Sequence, residues 1–182
     1  KKFNTQVLYS TILVSSALYL FFVSIVDLKN AKLKLSQKIS HLAFSVLIIS
    51  IILNSLFSQE VSVNLRKGEE KKLSNYLLKF ENISKTEIDN FTSLKAEIHV
   101  TQNDNKLKFY PELRLYKVPA TITSEADIKT NLFSDNLVVV NYLKDTDYLN
   151  IRYQKKPFML LIWLSAFMLA VGGLIGLRKN FK

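Results

Sequence analysis

The sequence predicts a membrane α-helical protein: three transmembrane helices with an inserted antiparallel β-barrel or sandwich domain. Three observations predict it. Residues 7–26, 42–57 and 158–177 contain no Asp, Glu, Lys or Arg. Between the second and third of these runs, apolar and polar residues alternate with the period of two that marks strands. Charge is also uneven: of a net +10, residues 60–157 contribute only +2, from 16 Lys and Arg against 14 Asp and Glu.

The two outer apolar runs are long enough to cross a bilayer core of about 30 Å as helices. The middle run reaches that length only with Ile39, Ser40 and His41 inside it. Helices are therefore expected over about 7–26 and 39–58, within a first region of 1–58. Residues 27–38 form the loop between them and carry Lys29, Lys32, Lys34 and Lys38 against Asp27 alone. By the positive-inside rule this loop and the basic tail RKNFK lie on the cytoplasmic or matrix side, which puts the β domain on the periplasmic or intermembrane side. Lys1 and Lys2 run slightly against that orientation. Because residue 1 is Lys, the chain is expected to be a processed product or part of a longer one, and no secretory signal peptide is expected.

The β domain is expected over 59–156. Tyr76, Leu78 and Phe80 alternate with Leu77 and Lys79, and Leu94, Ala96, Ile98 and Val100 alternate with Lys95, Glu97 and His99. Further strands are expected over 61–66, 106–116, 137–142 and 148–153, with Asn and Asp turns at 102–105 and 144–147. Residues 123–131 read as a loop with room for one helical turn, capped weakly by Ser124 and Asp127. Pro157 is expected to begin the last helix, within 157–182, where its missing N–H costs nothing. That helix holds Gly172 and Gly176 in G-x-x-x-G spacing beside Gly173, a face for close helix packing.

Without cysteine there are no disulfides, no thiolate catalysis and no Cys-ligated zinc or iron–sulfur cluster. No Gly-rich phosphate loop, H-E-x-x-H pattern or nucleophile elbow occurs, so no catalytic residue is assigned. The positive charge sits beside the helices rather than in a patch, which argues for a membrane and against nucleic acid as partner. His41 stands out, because ionisable residues inside spans usually face a protein interior or a cofactor. Its position alone leaves two readings, a metal or cofactor ligand and a headgroup-level residue with a water or phosphate partner. His99 reads as a solvated residue on the polar face of its strand, and Glu112 with Arg114 as a structural ion pair.

LRKGEEKKLSNYLLKFENIS, KLKFYPELRLYKVPATITSEADI, NLFSDNLVVV and KPFMLLIWLSAFMLAVGGLIGLRK occur in this order. Together they resemble the C-terminal end of CcmF-type haem lyases of cytochrome c maturation, a family that includes the NrfE proteins. The resemblance runs from about Ser36 to Arg178. It implies that ISHLAFSVLII matches the family's A-H-L-G segment, making His41 an axial ligand of a membrane haem b, its iron the bound metal. Ser40 and Ala43 stand where the family favours Ala and Gly. The second axial ligand is then expected from a missing segment or a partner chain, as is the Trp-rich haem-handling segment, since Trp163 is the one tryptophan here.

The resemblance further implies an inner membrane of a bacterium or mitochondrion and an electron-transfer haem serving covalent attachment of haem to apocytochrome c. The partners it implies are other haem lyase segments or subunits, a haem chaperone and the apocytochrome. The alternative is a non-catalytic, membrane-anchored interaction subunit that docks the chaperone or apocytochrome.

Overall fold

The computed structural model describes residues 5–103, 105–143 and 146–178; Lys1, Lys2, the tail after Arg178 and part of the 144–147 turn lie outside them. The chain divides into two compact units. One comprises the helices with residues 132–134; the other holds most of the strands.

In the first unit, α1 spans Thr5–Lys29, α2 Leu35–Phe57 and α3 Met159–Arg178. All three are long and apolar enough to cross a membrane. α1 and α2 outrun their charge-free segments, because backbone hydrogen bonding continues through the flanking polar residues, whereas α3 matches its run in length. The α1–α2 loop is thereby shortened to residues 30–34. Lys32 N–H donates to Asn30 Oδ1 there, and Lys34 N–H donates to Gln37 Oε1 at 3.1 Å, half of a capping box that starts α2 at Leu35 rather than at 39. Lys38 Nζ closes the hairpin by donating to Leu28 O at 2.9 Å, a cation at the carbonyl end of α1.

Gly172 and Gly176 of α3 face Ser40 and Ser36 of α2, so small residues meet on both sides, whereas Gly173 points into open space. Pro157 does not begin α3. It ends the preceding strand, and Phe158, at φ 62°, makes the turn into the helix. Asn54 Nδ2 of α2 donates to Pro157 O at 2.6 Å, tying the ends of α2 and α3 together.

The second unit is a β-sandwich. One sheet has the order β1 (Gln59–Leu65), β10 (Leu149–Pro157), β9 (Ser134–Tyr142), β8 (Asp127–Thr130). The other has β2 (Glu70–Leu73), β3 (Tyr76–Glu87), β4 (Phe91–Gln102), β6 (Glu112–Tyr116) and β7 (Thr121–Glu125), with β5 (Asn105–Phe109) also paired to β4. The inward faces supply one core: Val63 and Leu65; Tyr76, Leu78 and Phe80; Ala96, Ile98 and Val100; Phe109 and Leu113; Val138 and Val140; Leu149, Ile151 and Tyr153. Burying side chains of this size contributes about 1.5–3 kcal/mol each.

Two expectations for the β domain change. Residues 106–116 form two strands, because Tyr110 and Pro111 interrupt the run: β5 pairs with the end of β4 and β6 with its beginning. Ala96 N–H donates to Pro111 O across the break. The 123–131 loop is mostly strand, since β7 pairs with β6 and β8 with β9; Thr123, Ile122 and Ile128 favour extended backbone, and Ser124 donates to Asn141 Oδ1 instead of capping a helix. Finally, the R-K-G-E turn joins the two sheets, with Gly68 at φ 84° and its N–H donating to Phe80 O at 2.7 Å.

Candidate functional site

The site is built on the hairpin of α1 and α2. His41 lies six residues into α2, about 9 Å along the helix axis from Leu35. The short loop brings the last turns of α1 alongside it. Asp27 Oδ2 accepts from His41 Nδ1 at 3.2 Å. Ser24, one turn earlier on the same face and 1% exposed, has its hydroxyl 2.8 Å from Leu20 O and 3.2 Å from His41 O. The backbone and the ring of His41 are therefore both held by α1. On the other side of α2, Ser40 and Ala43 pack inward, and Ala43 is 1% exposed.

The hydrogen bond decides the chemistry of the ring. A carboxylate accepts only, so in the neutral imidazole Nδ1 carries the proton and Nε2 the lone pair. The His41 side chain is about half exposed (52%), which leaves the ring open to a ligand at Nε2. A neutral imidazole fixed by a carboxylate through its second nitrogen is the arrangement in which histidine ligates a metal, and the carboxylate raises its basicity. The residues present thus fit one axial position of a haem. Among the described residues, no group of three or more His, Cys, Asp or Glu is placed to hold a metal by itself.

Sequence reasoning overlooks Asp27, yet a signal exists. A carboxylate in the last turn of α1 stands at the negative end of the helix dipole, where acidic residues are disfavoured. Such a placement calls for a specific partner, and His41 is that partner.

His99 is not solvated. Only 5% exposed, it has Nε2 2.9 Å from Glu97 Oε1. Its strand neighbours in register are Lys79 on β3 and Lys108 on β5, with Glu97 two residues before it. Those long side chains form ion pairs, Lys79 with Glu81 and Lys108 with Glu97, and in register they flank His99 on both sides. Glu112 and Arg114 form the expected pair at 3.1 Å, with the guanidinium over Phe91. A hydrogen bond from the Ser93 hydroxyl, then one from Arg114, holds the Glu112 carboxyl below its ordinary range.

A family model described as the CcmF C-terminal beta-sandwich matches residues 56–157, more than half of the chain. The cytochrome c-type biogenesis protein CcmF of Pseudomonas aeruginosa is 28% identical over 148 residues, covering 80% of this chain and 22% of the relative. CcmF of Pseudomonas fluorescens is 30% identical over 140 residues, covering 76% and 21%. The probable cytochrome c-type biogenesis protein NrfE of Escherichia coli is 23% identical over 145 residues, covering 79% and 26%. The chain thus spans about a fifth to a quarter of the length of the curated relatives it matches. A solved structure titled cytochrome c heme lyase CcmF shares the fold, with a TM-score of 0.66 at 11% identity, over 91% of this chain and 30% of that one. With helices flanking a ten-stranded sandwich and a family model that runs from the end of α2 to the end of β10, the chain belongs to the CcmF C-terminal beta-sandwich family.

Proposed function

We propose that this chain is the C-terminal part, or a separate subunit, of a haem lyase that attaches haem to apocytochrome c, and that His41 supplies one axial ligand of a membrane haem b. The observation that carries the reading is the Asp27–His41 hydrogen bond, which presents Nε2 of a half-exposed imidazole inside a membrane span. Bound there, haem b supplies one-electron redox chemistry. The chain's own residues do the positioning. Asp27 keeps the proton on Nδ1 and fixes the ring plane, Ser24 anchors the His41 carbonyl, and the Gly172–Ser40 contact sets how closely α3 backs α2. The second axial ligand comes from outside this chain. The β domain lies on the periplasmic or intermembrane face and docks the haem chaperone or apocytochrome. Exposed Val118, Ile122 and Ile128, at and beside the edge strands β7 and β8, favour that docking role.

The test is His41→Ala in the complete assembly, with haem read by its reduced b-type absorbance. Loss of that band is expected; full occupancy overturns the ligand assignment and leaves the chain as an interaction subunit. Asp27→Asn keeps the shape but removes the charge. Occupancy should fall, since loss of such a partner typically costs about 10- to 100-fold in affinity. The remaining haem should titrate at a higher midpoint potential, because the ferric form loses a nearby negative charge. An unchanged potential and occupancy would remove Asp27 from the site.

A further inference from the structure

The turn between β8 and β9 carries two large apolar side chains outward. Leu132 is 75% exposed and Phe133 78% exposed. A turn of ordinary chemistry would place Gly, Asn, Asp or Ser at such positions, so two adjacent apolar side chains displayed to solvent indicate a surface that covers them.

The turn belongs to the helical unit. Phe158 N–H donates to Phe133 O at 2.9 Å, and Phe158 immediately precedes α3. Pro157 O accepts from Asn54, one turn before the end of α2. Residues 132–133, the last turn of α2 and the first turn of α3 therefore share one level of the helical unit. Leu56 and Phe57 are 58% and 59% exposed there, and Trp163 lies one turn further into α3 at 66%. Lys155 and Lys156 directly precede Pro157 in sequence. Aromatic side chains flanked by lysines at the mouth of a span are the composition of a headgroup boundary, where rings and aliphatic groups enter the acyl region and ammonium groups stay with phosphates.

We propose that Leu132 and Phe133 insert into the bilayer interface beside α3, so that the β8–β9 turn meets the membrane in addition to α2 and α3. The occupant is lipid because the patch is continuous with helix surface that must itself meet acyl chains. Burial of two such side chains is a shallow interfacial insertion of the kind amphipathic elements make.

The chain's single tryptophan makes the test clean. Phe133→Trp, in a Trp163→Phe background of the full chain, is reconstituted in vesicles of phosphatidylcholine and phosphatidylglycerol; Leu132→Trp is read in parallel. Blue-shifted emission is expected, quenched by lipids brominated high on the acyl chain and shielded from aqueous iodide. Red-shifted emission quenched by iodide overturns the proposal, and so does blue-shifted emission that brominated lipid leaves unquenched. In native membranes, a photo-crosslinking phenylalanine analogue at position 133 distinguishes the remaining rival. An adduct with another protein segment instead of phospholipid also overturns the proposal.

Discussion

At the scale of single residues, physical context decides what a side chain does, and Tyr153 shows it in the β core. The phenol is 2% exposed and donates to Asn136 Oδ1 at 2.8 Å, while Asn136 is itself 5% exposed. Tyr76 packs against it with ring centroids 4.9 Å apart. Burial, then the neighbouring Tyr76, pushes the Tyr153 phenol well above its ordinary range. A pKa raised on folding favours the native state at pH values below the unfolded pKa of about 10, and that contribution is lost as pH climbs towards the folded value. Tyr153→Phe leaves Asn136 without its donor and should destabilise the full chain in micelles by about 1–3 kcal/mol at neutral pH. Above pH ~10 the gap between the two proteins should narrow, because only the parent loses stability through that phenol. Thermal melts of the β signal at the two pH values check this; a gap that widens contradicts it. The two histidines differ in how far the sequence reveals them. His41 is legible because a charge-capable residue inside an apolar run is conspicuous. Asp27 is not, since its role depends on a hairpin that folds residues 14 apart onto each other. His99 misleads because period two assigns a face but not what stands on that face, where Lys79 and Lys108 flank it in register and Glu97 is within hydrogen-bond distance of its ring.

At the scale of elements, the helices and long strands were readable because their periodicity extends over many residues. Short strands were not: β7 and β8 have five and four residues, and hydrogen-bonded pairing with β6 and β9, their neighbours in each sheet, holds them extended. Pro157 fits both a helix start and a strand end, and the choice is made by the Asn54 and Phe133 hydrogen bonds around it. The three glycines of α3 looked alike in the sequence yet differ in space. A Cβ on Gly172 would collide with Ser40 Oγ and meet Ser40 N at 3.2 Å and Ile39 Cγ2 at 3.3 Å. On Gly176 it would sit in ordinary contact, 3.7 Å from Ser36, and on Gly173 it would meet nothing within 4 Å. Overpacking of a close contact typically costs about 1–3 kcal/mol. Gly172→Val should therefore loosen the α2–α3 pair by that order, while Gly173→Ala and Gly176→Ala stay close to the parent. Unfolding in mixed micelles with increasing SDS measures the ranking. Equal effects at all three positions would mean that the α2–α3 contact does not depend on close approach.

At the scale of the whole molecule, charge placement and span order together predict an orientation. Four lysines and one aspartate fall within residues 27–38, the short loop and the helix ends beside it, whereas the β domain is nearly neutral despite its size. Lysine-rich short loops are retained on the cytoplasmic or matrix side, because carrying several ammonium groups across the hydrocarbon is unfavourable. A nearly neutral domain meets no such barrier. On that expectation, one crossing by α2 would deliver the sandwich to the opposite face, and α3 would return the chain to the side of its basic end. Because the sequence has no cysteine, each introduced thiol reports alone. Ala31→Cys marks the short loop, and Val118→Cys, at a position 78% exposed, marks the β domain. In intact cells a membrane-impermeant maleimide should label Val118→Cys and spare Ala31→Cys, which should react only after the membrane is permeabilised. The reverse pattern would invert the molecule, placing the short loop and the His41 end of α2 at the outer face and the β domain at the inner one. The expected pattern would put the proposed ligand position of His41 towards one face and the proposed docking surface of the sandwich on the other, as the proposed function requires.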